Sequence, residues 1–154
     1  MKHLKAKETV WRGQKVITME MKDLVPCSLY EQIPDYETLK TIIGTGEMEY
    51  PLLVYQSDQE YYTVQHLANY KSGSPGLPET APEIEVDVRL PNNQTKKANR
   101  IHIVWSGRQR YQVAKELGYT HIDVIVQPDF FQMVAWAGAF RDITENTKGF
   151  KKKK

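Results

Sequence analysis

Apolar and polar positions alternate along several short runs of the chain and fall at helical spacing in others, and the two periods divide it into elements. Val16 to Met21 alternates and leads into Val25-Pro26, which predicts a strand with Pro26 as its stop. Leu39, Ile42 and Ile43 lie at helical spacing behind Asp35, so a short helix is expected from an Asp35 cap to Ile43, ended by Gly44 and Gly46. Leu52 to Tyr55 and Tyr61 to His66 read as two strands joined by a Ser57-Asp58-Gln59 turn. From residue 69 to 100 the character changes. Pro75, Pro78, Pro82 and Pro91 mark loops, yet Ile84, Val86, Val88 and Leu90 alternate with Glu85, Asp87 and Arg89. A strand with one buried and one charged face is expected there, paired with Ile101 to Trp105. The whole stretch, about 67–100, reads as an insertion of a loop plus a strand, either an ordered functional element or a disordered flap.

The next block is the best signalled. Ile101 to Trp105 is a short apolar strand, Ser106 to Leu117 a helix closed by Gly118, and His121 to Val126 the following strand. Ser106 is a suitable N-cap, with Gln109 three residues on as in a capping box. Strand, tight turn, helix and strand predict a βαβ unit. At 100° per residue Val113, Ala114 and Leu117 form the buried face, Arg110 shares it, and Arg108 and Gln112 point away. An arginine on the buried side of a helix's first turn needs an anion or hydrogen bonds, and the helix N-terminus favours negative charge. Two partners suit it: a phosphate, which Gly107 would let approach the turn, or an acidic side chain such as Glu47, Glu49 or Asp123. Further on, Phe130, Met133, Val134, Ala137 and Phe140 follow helical spacing, as a core-facing helix or the face of a homodimer would.

Composition narrows the class. With 154 residues, 40% hydrophobic and 26% charged, the chain has the make-up of one globular domain rather than a disordered or fibrous chain. The longest apolar stretch, Phe130 to Phe140, falls short of the roughly 20 residues of a membrane span, and no apolar segment follows the basic start as in a secretory leader. A cytoplasmic location without membrane contact is expected. The single cysteine, Cys27, excludes an internal disulfide and a multi-cysteine metal site. The net charge of +2 is unevenly spread: residues 1–15 carry five Lys/Arg and one Glu, residues 16–140 ten and sixteen, and residues 141–154 six and two. The basic ends suit a DNA backbone, and equally a pair of solubilising tails. His3, His66, His102 and His121 lack metal-ligand spacing, and no Walker or nucleophile-elbow motif occurs. Trp11, Tyr30, Tyr36 and Tyr50 could stack on bases, or simply pack in core and rim.

The block from Ser106 to Gly118, followed by Ile122-Asp123-Val124-Ile125-Val126, resembles the G-E-R-R-x-x-A-x-x-x-L-G…I-P-V-I-V signature of the ParB N-terminal/sulfiredoxin superfamily. Ile43 to Val54, with Gly46, Pro51, Leu52 and Val54, is similar to that family's S-I-x-x-x-G-x-x-x-P-I-x-V segment, and Glu145-Asn146 resembles its E-N pair. The resemblance implies an α+β fold, a mixed sheet with flanking helices, over residues 16–147, between a basic segment at 1–15 and a basic tail at 148–154. It also implies binding of a nucleoside triphosphate, CTP or ATP, with magnesium. Ser106, Gly107, Arg108, Gln109 and Arg110 would hold phosphates, and the stretch from Gly46 to Leu52, with Gly46, Pro51 and Leu52 as its motif positions, would line the base or sugar end. Asn146 would help hold the metal, and Glu145 would act in hydrolysis or organise the metal. The pattern departs from the family where Arg108 replaces the glutamate and Gln109 the first arginine. Sulfiredoxin reductase activity is not expected, since Arg108 stands where that branch has its cysteine. A partition clamp is not expected either, since no helix-turn-helix follows. Three functions therefore stand: a nucleotide-binding domain, acting as NTPase or phosphotransferase; a DNA-binding or metal-dependent nuclease module; and a non-catalytic interaction protein that kept the fold.

Overall fold

The computed structural model of the chain describes residues 2–26, 33, 35–57, 82–128 and 135. In chain order the elements are β1 (His3–Ala6), β2 (Val10–Trp11), β3 (Gln14–Lys15), β4 (Ile17–Glu20), a 3-10 turn at Met21–Asp23, β5 (Leu24–Pro26), α1 (Tyr36–Gly44) and β6 (Glu47–Met48). They continue with β7 (Leu52–Ser57), β8 (Ile84–Arg89), β9 (Thr95–Ser106), α2 (Arg108–Glu116) and β10 (His121–Gln127). The architecture is mixed α+β. Among the described residues eight strands form one mixed sheet in the order β5-β9-β7-β10-β1-β6, with β4 also on β10 and β8 also on β9, while β2 and β3 form a separate hairpin.

Continuous apolar runs on β7 and β10 mean that both faces of the sheet are covered. Leu52 and Val54 face one cluster with Leu39 and Ile43 of α1 and Tyr111, Val113 and Ala114 of α2. Leu53 and Tyr55 face the other, with Trp11 of the hairpin and Ile101 and Ile103 of β9. Tyr36 Oη donates to Glu116 at 2.8 Å, and Tyr119 Oη donates to the Ile43 carbonyl, so both ends of α1 are tied to the C-terminal end of α2 and the turn that follows it.

Several expectations change. β9 and β10 flank α2, but β7 lies between them, antiparallel to β9 and parallel to β10. The two strands around α2 therefore run antiparallel, and the expected βαβ unit is not formed. Periodicity sets each element's type but not its neighbour, and here the apolar β7 takes the central place. β8 pairs with Thr95–Arg100, not with Ile101–Trp105, because β9 is one strand of 12 residues whose second half is occupied by β7 and β5. Ser106 ends β9 opposite Leu53, so Gly107 takes the N-cap position of α2 and no side chain caps it. Asp35 stands at the N-cap of α1 in left-handed geometry, also without a side-chain cap bond. The basic N-terminal segment supplies β1 and the hairpin, which extends the folded unit to residue 3, upstream of the expected start at 16. Leu4 is fully buried there. Tyr61 to His66, Cys27 and the Phe130 to Phe140 helix, apart from Ala135, lie outside the described residues.

Asp123 fastens this N-terminal strand. It is 9% exposed, and its carboxylate accepts from the Ala6 amide (3.0 Å) and Thr18 Oγ1 (2.8 Å) and meets His3 Nε2 at 2.6 Å. One buried carboxylate thus joins β1, β4 and β10. Asp123→Ala strands the Ala6 donor and is expected to lower unfolding free energy by about 1–3 kcal/mol in urea titrations, with most of that recovered in Asp123→Asn.

His102, on β9, is 3% exposed. Gln56 Nε2 lies 3.2 Å from its Nε2, and its Nδ1 has no partner among the described residues. Burial pulls its pKa below the ordinary 6.5, partly opposed by the charge of Asp23. A depressed histidine binds its proton more readily in the unfolded chain. Stability is therefore intact above the ordinary value and falls as pH is lowered through about 6.5. Urea midpoints at pH 7.5 and 5.5 are expected to differ more in the wild type than in His102→Gln.

Candidate functional site

Where α1 ends, the chain turns at Thr45-Gly46, forms β6 and passes Glu49 and Tyr50 before entering β7. Gly46 has φ +90°, a left-handed geometry that suits glycine, and its carbonyl accepts the Lys5 amide at 3.0 Å. Met48 likewise accepts the Lys7 amide at 2.9 Å. This stretch is therefore pinned to β1 on one side. On the other it meets α2. Between them lies a pocket of about 480 Å³, its apolar wall formed by Leu39, Ile42 and Ile43 of α1 with Met48, and its polar wall by Lys7, Glu49 and Arg110. Ile42 is 45% exposed and contributes to this opening.

Arg110 comes from the first turn of α2. The residue is half-buried, and its guanidinium is the enclosed end. Nη1 donates to the Tyr50 carbonyl at 2.5 Å and lies 3.4 Å from Met48 Sδ. Gly107 forms the third side. A Cβ there would stand 2.9 Å from Arg110 Nη2 and 2.5 Å from Leu52 Cδ2. Gly107 thus makes room for the arginine and Leu52, rather than for a ligand approaching that side of the turn. No carboxylate reaches Arg110 within ion-pair distance among the described residues. Glu49 pairs with Lys7 at 2.9 Å and Asp123 with His3. Enclosure without a counter-charge draws the guanidinium down to about 10, so it remains charged at neutral pH. Among the described residues a carbonyl and a thioether are its hydrogen-bond partners, and neither carries a charge; an anion would complete the site.

The other expected site residues are placed as follows. Gly46 stands between pocket-lining Thr45 and Glu47, while Pro51 and Leu52 are buried, and none of these three lines the pocket itself. Ser106, Gly107, Arg108 and Gln109 are half-buried around the β9–α2 junction. Glu145 and Asn146, the expected metal and hydrolysis residues, lie outside the described residues. Among the described residues no group of three or more His, Cys, Asp or Glu is placed to hold a metal ion. Of the aromatics, Trp11 is core, Tyr36 bonds Glu116, and Tyr50 packs on the second cluster while lining the pocket. Lys7 and Ile42 were not legible as site residues, whereas Met48 falls within the stretch from Gly46 to Leu52 that the resemblance assigns to the site. Lys7 reads as one charge of a basic segment, and only the pairing of β1 with β6 brings it to the pocket.

No protein-family model, no curated protein and no solved structure matches the chain. Among the described residues, no helix is long and apolar enough to cross a membrane.

Proposed function

We propose that the chain is a nucleotide-binding domain of ParB/sulfiredoxin-like fold that takes the phosphates of CTP or ATP against Arg110. The observation that carries this reading is the enclosed guanidinium, charged at neutral pH and without a carboxylate partner among the described residues, on the wall of a pocket large enough for a small ligand. A phosphate supplies the missing counter-charge, and the apolar wall of Ile42, Met48 and Tyr50 supplies a surface for a base. The resemblance supports it too, since Glu47 to Tyr50 and Arg110, which belong to its two motif segments and are far apart in sequence, line this one pocket. In this reading magnesium accompanies the nucleotide, with Asn146 and Glu145 as the residues to hold it and Glu145 to support hydrolysis or phosphoryl transfer.

Isothermal titration with CTP and with ATP, each with and without magnesium, tests the proposal. Saturable binding of at least one nucleotide is the expected result. Absence of binding under all four conditions would reject it, and the basic termini would then direct the next titration to DNA.

A further inference from the structure

The pocket holds a second cation whose present partner is weakly held. Lys7 follows the end of β1, its backbone fixed by the bond from its amide to the Met48 carbonyl. Its Nζ reaches across to Glu49 Oε2 at 2.9 Å. Both side chains are more than half exposed, 52% and 60%. An ion pair this open contributes little and is readily broken. Glu47 adds a second carboxylate at the same rim, so among the described residues the lining carries two cations and two anions. A polyanion therefore finds no net attraction unless one carboxylate gives way.

Resting on the nucleotide reading above, we propose that Lys7 is a second phosphate-binding cation of this pocket and that Glu49 is its stand-in anion, displaced when the ligand's phosphates arrive. Arg110 supplies a fixed charge and Lys7 a movable one. The long flexible stem of lysine suits the exchange, because Nζ can leave Glu49 while the backbone of β1 stays in place. Glu49 thereby sets affinity by competition, and its removal frees Lys7.

The proposal is tested on the full chain by titrating whichever of CTP and ATP the wild type binds into Lys7→Met, Glu49→Gln and the double variant, at two salt concentrations. Glu49→Gln is expected to tighten binding about twofold to fivefold, the worth of an exposed ion pair. Lys7→Met is expected to weaken binding and to flatten its salt dependence, since one screened attraction is gone. The double variant should bind less tightly than Glu49→Gln, because the lysine that Glu49→Gln frees for the phosphates is gone. Unchanged melting temperatures in all three would separate this role from a structural one. Failure of the two proposals is distinguishable. No binding by the wild type overturns both. Binding that is lost in Arg110→Met but indifferent to Lys7→Met and Glu49→Gln overturns the second cation alone.

Discussion

Gly107→Ala is expected to be the most damaging single methyl in the described fold. Position 107 has φ +98°, where an alanine costs about 1 kcal/mol relative to glycine. The new Cβ would stand 2.5 Å from Leu52 Cδ2 and 2.9 Å from Arg110 Nη2. Leu52 is fully buried and cannot swing away, so overpacking adds about 1–3 kcal/mol. The sum, about 2–4 kcal/mol, corresponds to a fall in melting temperature of roughly 5–15 °C for a chain of this size. Calorimetry or urea unfolding measures it. Trimming the neighbour in Gly107→Ala/Leu52→Val should cost less than the two changes added together, because they share one contact. A Gly107→Ala variant as stable as wild type would mean that the turn does not have this geometry.

Arg110→Met is expected to separate binding from stability. Methionine keeps much of the apolar stem and removes the charge. The loss of the bond to the Tyr50 carbonyl is offset by relief of an enclosed cation that meets no carboxylate among the described residues, so unfolding free energy should change by no more than about 1 kcal/mol. Nucleotide binding should respond very differently. A charge-assisted bond is worth about 1.5–3 kcal/mol, so affinity is expected to fall about 10-fold to 150-fold. Paired urea and calorimetric titrations of one preparation read both quantities. Arg110→Lys tests the shape of the donor: a compact ammonium cannot hold the Tyr50 carbonyl and a phosphate in the same fork, so it should restore only part of the affinity. A variant that loses stability but not affinity would make Arg110 a structural residue, with the Tyr50 carbonyl as its purpose.

The elements were more legible than their arrangement. Leu39, Ile42 and Ile43 mark α1, the run from Ile122 to Ile125 marks β10, and the alternation from Ile84 to Val88 marks β8, because each is set by a local period. Pairing is decided between distant residues, and no local signal places β7 between β9 and β10 or sets β5 parallel to β9. β1 shows the same limit from the other side. His-Leu-Lys-Ala has no pattern long enough to announce a strand, yet Leu4 is fully buried because β10 and β6 accept the segment on either side. At the site, the inward direction of Arg110 was readable from the helix period. That its guanidinium would lean on a backbone carbonyl rather than on Glu47, Glu49 or Asp123 was not. Each of those carboxylates needed its own placement first: Glu49 beside Lys7, Asp123 among His3, Thr18 and Ala6, and Glu47 at the rim. Lys7 became a site residue only through the β1–β6 pairing.

The claim at the centre of this account is one place: phosphates against Arg110, between the end of α1 and the start of α2. Amide chemical-shift mapping by NMR during nucleotide addition tests it most directly. The account predicts saturable shifts concentrated at Thr45 to Tyr50, Gly107 to Arg110 and Lys7, all following one binding curve. Shifts confined to other surfaces, such as the β8–β9 arm, or no shifts at saturating nucleotide, would contradict it.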